Sequence, residues 1–295
     1  MPAHRHPDSS PVRRAFTLIE LLVVLAIIGA LAAVTIPAFK GFGQSGSFTA
    51  AQRQMLDDLT YARQLAVKNR ATVYVLFAPT NTYLQQTVFS SLSPATFGTF
   101  PREALTSLTN LLHGQYASYA LYTQRRVGEQ PGVERPRYLT EWRTLPQGVI
   151  FPREMFAGPE PGVKLPADKR VQRLTQRGFP FPVALKDQWM TDQANVWGTV
   201  DRLPQLPFLA FDPSGKISEQ TYANLRGPGG ELVPSGADVV IGVAPGSVLL
   251  PRQADGQILM GAGDVVEAPR FGYTNGLIRI SYYTGRARLV KNQPK

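Results

Sequence analysis

Between Leu21 and Phe39 the chain runs for nineteen residues without a charged side chain, and no other part of its 295 residues is so uniformly apolar. As a helix rising about 1.5 Å per residue, that run covers roughly 28 Å, close to the thickness of a bilayer core. The basic residues Arg5, Arg13 and Arg14 precede it. By the positive-inside rule, the short amino-terminal segment stays in the cytoplasm and the bulk of the chain crosses. The run therefore predicts a single-pass anchor, and everything after it must fold outside the membrane.

One residue does not suit a plain anchor. Glu20 places a carboxylate at the cytoplasmic edge of the apolar run. Such a charge costs about 2.5–3.5 kcal/mol at a helix centre and less near an interface, so it calls for a partner. No basic residue lies within the apolar run itself to supply one. The partner is expected from another chain, and a positive α-amino group made by cleavage just before Phe16 has the required charge.

Basic residues, Ala15, then Phe16-Thr17-Leu18-Ile19-Glu20 and an apolar helix with Pro37 about five turns on resemble the class III signal of type IV prepilins and type II secretion pseudopilins. The resemblance implies a prepilin peptidase cutting between Ala15 and Phe16, N-methylation of Phe16, and Glu20 pairing with the amino terminus of a neighbouring subunit. It also implies a kink at Pro37, whose ring removes a rung of the helical hydrogen-bond ladder. Its implied partners are other pilin or pseudopilin subunits, the peptidase, an inner-membrane assembly platform and the lipid bilayer. The implied location is the bacterial inner membrane and the pseudopilus or pilus built from it. Where the family usually has Gly before the cut, this chain has Ala15. Two other readings of the stretch stay open. Leu21 to Ile28 with Ala30-Leu31-Ala32 also fits the apolar region and cleavage site of an ordinary secretory signal, although such a signal has no use for Glu20; an uncleaved anchor fits as well.

The 25 Pro and 26 Gly favour many short strands and turns over long helices. We expect an α+β fold: a long amino-terminal helix, half transmembrane and half amphipathic, packed on antiparallel β-sheet, with a large irregular insertion. The expected division is a leader at 1–15, a transmembrane helix at 16–39, a hinge and amphipathic helix at 40–71, and a β-rich domain at 72–295 with the insertion at about 90–205. The chain has no cysteine, which removes disulfides and thiolate metal sites. Its formal charge of +10 permits contact with nucleic acid, anionic lipid or an acidic partner but says nothing of fold.

Lys40 to Gly46 holds three glycines and predicts an interruption of the helix. From Phe48 the periodicity returns, with Phe48, Ala51, Met55, Leu59, Ala62 and Ala66 in steps of three or four. Thr49 and Gln52 form a candidate capping box, and Asp57 and Asp58 fall to the solvated face. Strands are predicted at Thr72–Phe77 and Tyr83–Phe89 as a first hairpin, then at Tyr116–Thr123, Tyr138–Leu145 and Val149–Phe151. Residues 152–205 read as a long loop held down by Phe156, Phe179, Phe181, Trp189 and Trp197. Further strands are predicted at Leu206–Asp212, Lys216–Tyr222 and Asp238–Val243, with a closing hairpin of Leu277–Thr284 and Arg286–Lys291 about Gly285. Helix, hairpin, Phe-Leu-Ala-Phe-Asp-Pro-Ser-Gly-Lys and the last strand are similar to the GspH/FimT-type minor pseudopilins.

Little in the chain suits catalysis. The histidines are His4, His6 and His113, and the first two would leave with the leader. That rules against zinc sites and Ser-His-Asp or Cys-His arrangements, and no Walker A phosphate loop is present. We therefore expect no enzyme, no cofactor and no metal. His113 reads as a surface or capping residue, and Asp238, Asp255 and Asp264 as turn residues, since they lack calcium-loop spacing. One basic cluster stands out. Arg286 and Arg288 share a strand face, with Arg279, Lys291 and Lys295 close by. The Gly285-Arg286-Ala287-Arg288 turn resembles that of minor pilins that bind DNA during uptake, which implies sequence-independent phosphate contact; it is equally the polar face of a terminal hairpin.

Overall fold

The computed structural model describes residues 18–78, 113–125, 137–158, 165–166, 169–175, 179–180, 205–250, 254 and 264–290; at 20, 29–45, 179–180 and 205 it describes the backbone alone. In chain order the elements are α1 (Leu18–Asn69), β1 (Val73–Phe77), β2 (Ser118–Thr123), β3 (Arg137–Tyr138), β4 (Arg143–Thr144), β5 (Val149–Ile150) and α2 (Glu154–Ala157). There follow β6 (Arg173–Leu174), β7 (Phe179–Pro180), β8 (Gln205–Leu206), β9 (Phe208–Phe211), α3 (Glu219–Asn224) and β10 (Leu225–Arg226). The last are β11 (Val239–Gly242), β12 (Ala244–Leu249), β13 (Asp264–Glu267), a 3-10 turn (Gly272–Asn275), β14 (Leu277–Ile280) and β15 (Ala287–Leu289). Helices and antiparallel sheets mix, as expected of an α+β chain. Contacts divide the chain into two units, 1–45 and 46–295. In the backbone, helix runs through 40–46, where the glycines predicted an interruption. A glycine costs only about 1 kcal/mol in a helix, too little by itself to end one.

In the second unit the predicted stripe is buried. Ala51, Met55, Leu59, Ala62 and Ala66 are all fully buried, in one cluster with Val73, Val75, Phe77, Tyr119, Leu121, Leu209 and Phe211. Those sheet residues lie on one face, because β1 pairs antiparallel with β2 (Val75 opposite Leu121) and with β9 (Val75 opposite Leu209). Alanine at three of the five helix positions lets the backbone approach the sheet, while Met55 and Leu59 contribute about 1.5–3 kcal/mol each by burial. Tyr74, Leu76, Ala120, Tyr122, Phe208 and Ala210 on the opposite face are buried too. β2 is consequently buried along its whole length instead of alternating, as strands covered on both faces are.

Several expectations need correction. β1 is paired on both edges, by β2 and β9, so the predicted hairpin with Tyr83–Phe89 has no edge left to form on; residues 83–89 lie outside the described ones. The described parts of 90–205 are not a peripheral insertion. β2 is the direct neighbour of β1, and Ile150, Phe151, Met155, Phe156 and Leu174 are core residues. Of the aromatic anchors named for that stretch, Phe156 is buried, with its ring 6.2 Å from that of Phe77. The side chains of Phe179, Phe181, Trp189 and Trp197 lie outside the described residues. The predicted strand Tyr138–Leu145 is two short strands, β3 and β4, that both pair with β2.

Lys216–Tyr222 is not a strand. Ile217 makes one bridge to Phe211, after which Ser218 caps α3 by accepting from the Gln220 amide. Thr221 and Ser218 then occupy the backbone of Ala210, so α3 covers the outer edge of β9. The hairpin of β12 with β13 carried no clear sequence signal, because its outer positions are half-exposed and Pro245 and Gly246 interrupt the strand pattern.

Polar residues of α1 also fall where the periodicity does not put them. Asp58 is buried, accepts from the Tyr119 hydroxyl at 2.5 Å and pairs with Arg143. Gln52 is no capping residue: its amide donates to the Asn275 carbonyl at 2.9 Å. Gln54 donates to Tyr119 Oη and to the Thr144 carbonyl. These groups pin the helix to β2, β4 and the 3-10 turn, whose positions the local sequence does not encode. Asp57, the next residue along, is exposed as predicted.

Candidate functional site: the amino-terminal motif and the arginine turn

The arginine turn joins β14 to β15, and Leu277–Ile280 pairs with Ala287–Leu289 through Ile278–Leu289, Arg279–Arg288 and Ile280–Ala287. Alternate residues Ile278 and Ile280 enter the core and hold the strand down. The turn closes when the Gly285 amide donates to the Ser281 carbonyl at 2.8 Å and the Ser281 amide to the Arg286 carbonyl at 3.0 Å. Gly285 has φ of +60°, which glycine adopts at little cost. A Cβ there would also overlap the Gly215 carbonyl oxygen, so two independent constraints require glycine.

The same turn is tied to α1. Arg63 Nε donates to the Thr284 carbonyl at 2.6 Å and to the Gly215 carbonyl at 3.2 Å, joining the helix to the Asp212–Gly215 turn and the arginine turn. Asp212 organises the first of these by accepting from Ser214 and Lys216 amides. Arg63 lies off the apolar stripe that the sequence marks on the helix. No local signal marks it, since its acceptors stand 152 and 221 residues away.

Both predicted arginines are on the surface. Arg286 and Arg288 are exposed, as is Tyr283 at 71 %. Arg279 sits directly opposite Arg288 but is half-buried. Beside the turn, Tyr282 donates to Glu219 at 2.6 Å. This bond raises the tyrosine's pKa and helps hold the Glu219 carboxyl below its ordinary value, after the larger effect of Ser235. Lys291 and Lys295 lie outside the described residues.

The other predicted residues belong to the amino terminus. Ala15 and Phe16 lie outside the described residues; Glu20 and Pro37 lie within the backbone of α1, their side chains outside the description. The side chains of Leu18, Ile19, Leu21–Leu25, Ile27 and Ile28 are described, and all of the large ones are exposed, by 48 to 82 %. Among the described residues no helix is long and apolar enough to cross a membrane; the predicted span at 16–39 falls partly outside them. His113 is exposed; Asp238 does not cap a local turn, for it stands just before β11 and its Oδ1 accepts from the amide of Tyr282, 44 residues away. Asp264 is an exposed strand residue instead, and Asp255 lies outside the described residues. Among the described residues no group of three acidic or histidine side chains is placed to hold a metal ion.

Comparison with known proteins bears on one segment. Residues 11–36 match a family model described as the prokaryotic N-terminal methylation motif. No curated protein and no solved structure matches the chain. The matched residues include Ala15, Phe16 and Glu20, and such a motif implies processing by a prepilin peptidase and assembly with other pilin subunits. The chain therefore carries, at its amino terminus, the signal of the type IV pilin and pseudopilin family.

Proposed function

We propose that the chain is a membrane-anchored minor pilin or pseudopilin, a structural subunit and not an enzyme, that enters a type IV pilus or a type II secretion pseudopilus through its amino-terminal helix. The methylation motif at 11–36 carries this reading. The peptidase removes 1–15, Phe16 becomes the methylated terminus, and 16–39 forms the inner-membrane span from which the assembly platform extracts the subunit. The long helix then continues into the amphipathic half that the sheet covers. Large aliphatic side chains exposed from Leu18 to Ile28 support it, since such a surface needs a bilayer or neighbouring helices. Within a filament, those helices replace lipid, and Glu20 meets the amino group of an adjacent Phe16. A minor position, of the GspH/FimT type, is supported by the resemblance of Phe208–Lys216 and of the last strand to those subunits.

Two measurements test this. The intact mass of the protein recovered from membranes should correspond to N-methylated Phe16 as the first residue; a chain beginning at Ala33 would mean that the apolar run is discarded. Glu20→Ala should insert normally yet be missing from sheared filaments. Wild-type incorporation of that variant removes the assembly mechanism.

A second reading rests on the exposure of Arg286 and Arg288 on a turn that Arg63 and Gly285 hold in place. In it the subunit binds DNA through phosphate contacts at these two arginines. Full-length protein in detergent should then retard duplex DNA at low salt and release it as salt rises, with the double change Arg286→Ala and Arg288→Ala abolishing the effect. An unchanged shift in that variant ends the reading.

A further inference from the structure

Arg279 and Arg288 occupy directly opposite positions on β14 and β15. Residues so placed have Cβ atoms about 4.5–5.5 Å apart on one face, and like charges there repel. The third residue of the row, Val240 on β11, brings no carboxylate. Among the described residues neither arginine forms an ion pair. Arg279 Nε is buried and meets no hydrogen-bond partner. A buried donor without an acceptor is a standing cost that an incoming oxygen would relieve. Both arginines line an open cavity of about 290 Å³, together with Leu289 and Val290 among the described residues.

We propose that this cavity is a binding site for a terminal phosphate group, held by Arg279 from below and Arg288 from the rim. Two guanidinium groups bring a charge of +2 and a surplus of N–H donors. A phosphate monoester brings about −1.5 to −2 and three acceptor oxygens, which match both. A carboxylate offsets one arginine alone, and the phosphodiesters of nucleic acid carry a single charge each. The site goes beyond the assembly reading and shares only Arg288 with the DNA reading, whose other arginine, Arg286, does not line the cavity.

Calorimetric titration of the full-length protein in detergent, at constant ionic strength, tests the site with inorganic phosphate and with vesicles containing phosphatidic acid. Saturable binding is expected, weakened about ten-fold or more by Arg279→Gln and by Arg288→Gln and unaltered by Arg286→Gln. Binding of phosphate itself identifies a free phosphoryl ligand; binding of the vesicles alone, with the same loss in both variants, identifies a lipid headgroup. No saturable binding in either arm overturns the proposal. So does binding that survives Arg288→Gln, a change at an exposed residue that leaves the core untouched. If duplex DNA is still retarded while neither phosphate nor the vesicles bind, this site falls and the DNA reading stands; the reverse result separates them the other way.

Discussion

The two ends of α1 obey the same backbone geometry and meet opposite fates. From Leu18 to Ile28 every described large side chain is at least 48 % exposed, whereas Ala51, Met55, Leu59, Ala62 and Ala66 are at 0 %. The first segment is apolar all round, so no single sheet could cover it. The second carries a stripe, and one face of the β1–β2–β9 sheet is enough. Helical apolarity alone thus says that something must cover a residue; its angular distribution says whether the chain can do so itself.

The sharpest way to break this contrast is to truncate one residue in each segment. Leu59→Ala should cost about 2–5 kcal/mol, read as a lower melting temperature of the detergent-solubilised protein, while Leu22→Ala should leave that melting temperature in place. Equal effects would mean that both segments are covered from within the chain. A smaller loss, about 2–3 kcal/mol, is expected from Asp58→Ala, which strips Tyr119 and the part-exposed Arg143 of their shared acceptor. The neighbouring Asp57→Ala should stay within about 0.5 kcal/mol in the same chemical denaturation. Next comes Gly285→Ala, about 1–3 kcal/mol from the positive φ and the overlap with Gly215. An unchanged denaturation midpoint there would show that the arginine turn is not locked to the Asp212–Gly215 turn.

The smallest expected effect is on the alkaline limb of stability. Burial, followed by the bond to Asp58, raises the pKa of Tyr119 well above that of an unfolded tyrosine near 10. Its contribution is therefore whole below about pH 10 and is lost as pH climbs from there toward the folded-state value. Tyr119→Phe should make denaturation midpoints fall less steeply above about pH 10, without removing the slope, because burial raises Tyr138, Tyr222 and Tyr273 as well. A slope identical to wild type would deny Tyr119 that role.

Legibility followed the range of the interaction. The stripe of α1 was readable from its period of three to four residues, and the strands β1, β2, β9 and β11 and the terminal hairpin about Gly285 from short runs of apolar, β-branched and aromatic residues bounded by turn residues. Strand partners were not readable. β1 looked like half of a local hairpin, yet its neighbours come from Ser118–Thr123 and Phe208–Phe211. Lys216–Tyr222 carried a strand-like composition that Ser218 overrode by capping a helix. Of the candidate sites, the amino-terminal motif was legible in full and the pair Arg286 and Arg288 nearly so. Arg63 was not, and the unpartnered state of Arg279 was not, since both depend on which distant carbonyls arrive and which carboxylates fail to.

The sequence by itself determined the apolar run with its lone acid Glu20, the processing signal around Ala15 and Phe16, and the buried stripe of the second half of the helix. Each of these is a property of neighbours along a chain, set by hydrophobicity and helical period. Only the tertiary structure decided that Asp58, Gln52 and Arg63 turn inward, that β1 lies in the middle of its sheet, and that two like charges face each other across β14 and β15. The last rests on the register of one hairpin and the others on partners tens to hundreds of residues away, and a polar side chain takes its role from the groups that folding brings to it.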